Sequence, residues 1–65
     1  MELNSRDFLM KALLDEQEKV RDYQKFAQQT DDSDAADNFR QWAESDGLRA
    51  NQIKNLLEKY DNQQN

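Results

Sequence analysis

The chain has 65 residues, 14 acidic and nine basic, for a formal net charge of -5, and it contains neither cysteine nor histidine. A chain of this length forms one small domain at most, and the missing residue types remove disulfides, thiolate zinc sites and the commonest general base. The acidic balance argues against nucleic acid as a partner, and apolar runs no longer than Phe8-Leu9-Met10 or Ala12-Leu13-Leu14 are far too short to span a membrane.

Met1-Glu2-Leu3 has neither the basic start nor the apolar stretch of a secretory signal, so a cytoplasmic location is expected. Hydrophobic and charged residues each make up 35% of the chain, a balance that borders on disorder. Against that, the apolar residues are periodic, proline is absent and glycine occurs once. Long helices with one buried stripe fit this composition.

The first helix is expected over about residues 5–30. Asn4 or Ser5 can cap it, and Asp7 falls in its first turn, where a carboxylate favours the positive end of the helix dipole. Leu9, Ala12, Leu13, Val20, Tyr23, Phe26 and Ala27 recur at helical spacing and form one face. Glu16 lies on that face, while Asp15, Glu18, Lys19, Arg21, Asp22 and Lys25 lie outside it. Opposite charges at Asp15 and Lys19, and at Glu18 and Arg21, suit ordinary solvated pairs.

Gln28 to Asp34 breaks the pattern. Asp31, Asp32, Ser33 and Asp34 are turn and capping residues, and Asp32, Ser33 or Asp34 can each cap the next helix. The run lacks the central glycine and closing glutamate of a calcium-binding EF-hand loop, so capping is the better account of its aspartates.

The second helix is expected over about residues 34–60. Its stripe is Ala36, Phe39, Ala43, Ala50, Ile53, Leu57 and Tyr60, flanked by Trp42, Leu48 and Leu56. Asp46 stands on this stripe, Arg49 lies beside it, and Gly47 weakens the helix locally by roughly 1 kcal/mol relative to alanine. The polar tail, residues 61–65, has no stripe and is expected to fray.

Two helices of about 39 Å joined by a short connector predict an all-α fold, an antiparallel two-helix hairpin forming one domain over residues 1–65. One hairpin leaves its stripes half covered. Phe8, Phe39, Trp42, Ile53 and Leu57 would stay partly wet, so the hairpin is expected to dimerise into a four-helix bundle. The expected interface is Phe8, Leu13, Val20, Phe39, Trp42, Ile53 and Leu57. A tetramer, or docking onto a helical partner protein, would cover the same residues.

Glu16, Asp46 and Arg49 interrupt the apolar pattern at matching depths and form a polar layer. As an ion-pair network the layer sets register, because a guanidinium can serve two carboxylates. As a metal site it would use Glu16 and Asp46 as ligands to iron or another divalent ion.

At these residues the chain resembles half of a rubrerythrin, within the ferritin-like superfamily. Glu16, Tyr23, Phe26 and Ala27 are similar to the family's E-x6-Y-x2-F-A pattern. Phe39, Ala43, Glu44, Asp46, Arg49 and Ala50 are similar to its F…A-E-x-E-x-x-H-A stretch. The resemblance covers about residues 9–60 and implies a half-bundle topology with Glu16 and Asp46 at ligand positions. Arg49 stands where the family has histidine, and Asp46 where it has glutamate. The resulting expectation is a non-enzymatic homo-oligomeric module in a structural or protein-interaction role, with no catalytic residues, cofactor or metal. The alternative is a carboxylate-rich, diiron-like protein assembled by dimerisation.

Overall fold

Asn4 starts the first helix by a reciprocal arrangement. Its side chain accepts a hydrogen bond from the Asp7 backbone N–H at 3.0 Å, and its own N–H donates to the Asp7 carboxylate at 3.4 Å. Two of the otherwise orphaned N–H groups at the helix start are thereby satisfied. In the computed structural model, which describes residues 4–63 with the last three as backbone, α1 runs Ser5–Gln29 and α2 runs Ser33–Gln63.

The connection is three residues long. Thr30 closes α1 in an extended conformation, its N–H donating to the Phe26 carbonyl at 2.9 Å. Its hydroxyl accepts from the Asp32 N–H at 3.2 Å. Asp32 then caps α2, its carboxylate accepting from the N–H groups of Asp34 at 3.0 Å and Ala35 at 3.2 Å. One aspartate both ends the turn and starts the helix.

Between the helices, the seam differs along its length. Toward the chain termini it holds Leu13, Ala50, Ile53 and Leu57, with Leu9, Met10 and Ala12 packed against them. Toward the turn the buried residues are Ala27, Ala36 and Ala43. Antiparallel packing follows from the side chains that meet, Tyr23 and Phe26 with Phe39, and Glu16 with Arg49.

The hairpin measures 50 × 23 × 11 Å and is therefore one helix thick. Among the described residues no large side chain is fully enclosed. The outer faces carry local pairs. Lys11 bonds Asp15 at 2.7 Å and Arg40 bonds Asp37 at 2.6 Å. Asp15, expected to pair with Lys19, thus pairs with Lys11 one turn earlier.

α2 continues through residues 61–63, beyond the expected end at Tyr60, so that part of the tail is helical. These polar residues include neither glycine nor proline to break the helix. Gln64 and Asn65, also placed in the fraying tail, lie outside the described residues, as do Met1, Glu2 and Leu3.

Gly47 sits within α2 without a positive φ, and a Cβ built there meets nothing within 4 Å. Gly47→Ala is therefore expected to stabilise the protein by about 0.5–1 kcal/mol through helix propensity. Urea unfolding followed by circular dichroism measures it, and a lowered midpoint would mean that another chain occupies the space beside Gly47.

Candidate functional site

Midway along the hairpin, one turn of each helix contributes a carboxylate and a cation three residues apart. Glu16 and Asp46 are 7% and 8% exposed, as buried as the aliphatic residues around them. Arg49 Nη1 donates to Glu16 Oε1 at 3.4 Å and lies 3.7 Å from Asp46 Oδ1. Lys19 Nζ approaches the same Glu16 oxygen at 3.8 Å. The trio expected from sequence is brought together, and Lys19 joins it.

The two cations sit above the carboxylates rather than among them. The Arg49 side chain is 58% exposed, and that of Glu16 only 9%. Long basic side chains commonly lie over a partly apolar surface with their charged heads in water. Two carboxylates thus face two cations, and the layer is neutral by formal charge. Glu16 Oε2 is nevertheless enclosed without a hydrogen-bond partner, an arrangement that costs stability.

A carboxylate-bridged metal pair does not fit the donors of one hairpin. Glu16 and Asp46 supply two carboxylates, but a guanidinium has no lone pair to offer at the third position. Among the described residues no group of three or more His, Cys, Asp or Glu side chains is placed to hold a metal ion. What the layer can do is fix register, since any slide of one helix along the other separates Glu16 from Arg49.

On one side of this layer, toward the turn, four rings cluster. Tyr23 stacks on Phe39 with ring centres 5.9 Å apart, and Phe26 meets Phe39 edge-on at 5.5 Å. Trp42 lies 5.6 Å from Phe39 and 5.8 Å from Tyr23. Tyr23 and Trp42 also line a shallow hollow with Lys19, Ser45, Asp46 and Arg49, so rings and charged layer share a face. Phe8, Lys19 and Phe26 are spaced by eleven and seven residues, and Trp42, Arg49 and Leu56 by seven, which brings Phe8 and Leu56 onto that face as well. Phe8, Phe26, Trp42 and Leu56 are 59%, 42%, 49% and 44% exposed.

The residues expected at the interface differ in burial within the single hairpin, and the expectation that Ile53 and Leu57 stay wet is corrected. Leu13, Ile53 and Leu57 are buried inside the single hairpin, because they point along the line joining the two helix axes. Ile53 and Leu57 therefore do not stay wet in a monomer. Val20 is half-buried on the other face, where it lines open grooves with Ala27, Ala43, Gly47 and Ala50. Phe8, half-buried Phe39 and Trp42 remain on the exposed apolar face. Phe26 and Leu56 belong to it too, and their spacing from Lys19 and Arg49 is the sequence signal that marks them.

Removing Arg49 leaves a buried carboxylate with weaker compensation. Arg49→Ala is expected to cost roughly 1–2 kcal/mol, discounted for the exposure of the guanidinium. In a Glu16→Gln background the loss should shrink to well under half, as read from urea midpoints in a double-mutant cycle. Equal losses in both backgrounds would show that the two side chains do not act together.

In comparisons with protein-family models, curated proteins and solved structures, the chain has no match.

Proposed function

We propose that the chain is a non-enzymatic helical-hairpin module that pairs with a second copy of itself to complete a four-helix bundle. Its role in this reading is structural or in protein interaction, in the cytoplasm, and it uses no cofactor. The observation that carries the proposal is the exposed apolar face formed by Phe8, Phe26, Trp42 and Leu56 on a hairpin one helix thick. Stable domains stack at least two layers around a core, and one hairpin supplies only one.

A second copy suits this face in charge. The charged layer in its middle is neutral within each hairpin, so stacking two layers brings together no net charge. The half-bundle resemblance to rubrerythrins supports the same assembly, with an arginine–carboxylate layer at the level of that family's metal ligands.

A diiron-like protein is the second reading, favoured by the depth of Glu16 and Asp46 and by the unpartnered Glu16 oxygen. The balance of charge weighs against it. Lys19 and Arg49 already supply the positive charge that metal ions would bring, and neither coordinates at neutral pH.

Native mass measurement and light scattering are expected to give a dimer whose mass and melting temperature do not change with EDTA. Stoichiometric iron, manganese or zinc, together with a melting temperature lowered by chelation, would replace this reading with the metal-binding one. Trp42→Glu places a charge on the apolar face and is expected to weaken association at least ~30-fold. A wild-type chain that stays monomeric at high concentration, with full helicity, sinks the proposal.

A further inference from the structure

We infer that the two hairpins pack antiparallel, turn against termini, with the two-fold axis perpendicular to the helices and passing through the Glu16–Asp46–Arg49 layer. This rests on the self-association proposed above and fixes which surfaces meet.

The layer divides the apolar face into unlike halves. Toward the turn stand Tyr23, Phe26, Phe39 and Trp42, four rings in mutual contact. Toward the termini the same face offers Phe8, Tyr60, Ala12 and Leu56, two separate rings and two aliphatic side chains, over the buried Ile53. In a parallel pair, eight clustered rings would share one half of the interface, against four rings and smaller aliphatic side chains in the other. The helices would splay at the crowded end or leave voids at the thin one, and interiors tolerate neither. The antiparallel pair sets each ring cluster on the other copy's lighter half and makes the interface even in thickness.

Charge selects the same arrangement. Asp31, Asp32 and Asp34 crowd the turn, and Asp37 follows one turn later with Arg40 as its partner. A parallel pair would hold two such turns side by side, six carboxylates within about one Debye length of ~8–10 Å. Asp31 lies 15 residues beyond Glu16, or about 22 Å along the helix. The antiparallel pair therefore separates the two turns by about 45 Å, where their repulsion is screened. It also sets each turn beside the other copy's terminal half, where Arg6, Lys11, Lys54 and Lys59 are mixed with Asp7, Asp15 and Glu58 and no acidic cluster stands.

In either orientation the two polar layers meet, because the layer sits near the midpoint of both helices. Orientation is thus decided by the halves on either side of it.

The chain has no native cysteine, so one introduced at exposed Asp31 takes a single nitroxide label. Electron double resonance on Asp31→Cys dimers is expected to give a distance near 45 Å. A distance under about 25 Å would place the turns together and overturn the antiparallel arrangement while leaving dimerisation intact. A mixture of copies labelled at Asp31→Cys and at Glu58→Cys is expected to add a short distance absent from either sample alone, and its absence counts against the arrangement. No dipolar coupling in any sample, with a monomer mass under native conditions, overturns both the arrangement and the self-association beneath it.

Discussion

Two helices joined by a three-residue turn share a single seam, and the burial available along it limits everything else in this protein. Each helix can turn only a narrow strip toward the other, so the enclosed residues are few: Leu13, Ala27, Ala36, Ala43, Ala50, Ile53 and Leu57, with Glu16 and Asp46 among them. Burial of apolar surface stabilises by roughly 25 cal/mol per Å², and alanines contribute little of it. The large aromatic residues fall beside the strip instead of within it. They gain ring contacts with one another, worth about 0.5–1.5 kcal/mol each, yet they leave broad apolar surface in water. A hairpin built this way keeps its largest apolar side chains outside its only seam.

The use of mid-seam positions for carboxylates is the main departure from simple helix packing. Apolar side chains of similar size would bury more readily, and replacing a buried ion pair with them is often neutral or favourable. The return is positional. A slide of one helical turn, about 5.4 Å, would take Glu16 away from Arg49 and leave a buried carboxylate against alanines. The alanine-rich seam could otherwise slip with little penalty, since Ala36, Ala43 and Ala50 repeat every seven residues. Charge supplies the register that a uniform stripe does not.

The cations lie toward the aromatic face and not toward the opposite groove of Val20, Ala43 and Gly47. That placement gives the hairpin two different sides. One side presents rings, aliphatic residues and a neutral pair of ion pairs. The other is a pair of shallow grooves floored by small residues and Val20, rimmed by exposed Leu48 and by polar residues such as Gln24, Arg40 and Glu44. The first holds the aromatic residues, the type enriched at interface cores.

Both helices, the turn, and the mid-helix level of Glu16, Asp46 and Arg49 were legible in the sequence, because each rests on local chemistry or on a helical repeat, while the caps were narrowed only to Asn4 or Ser5 and to Asp32, Ser33 or Asp34. Periodicity, however, marks a stripe broader than the strip that two helices can share. It gave Leu13, Val20, Ile53, Leu57, Phe39 and Trp42 the same standing, although they divide among the seam and two opposite faces. Lys19 was read as a solvated partner of Asp15, although its i,i+3 spacing from Glu16 already placed the two side chains side by side on the helix. The sequence by itself determined what is helical and what is buried at mid-length. Which apolar residues are enclosed between the helices and which stay exposed was settled by the fold, because that division follows from the direction of one helix axis relative to the other.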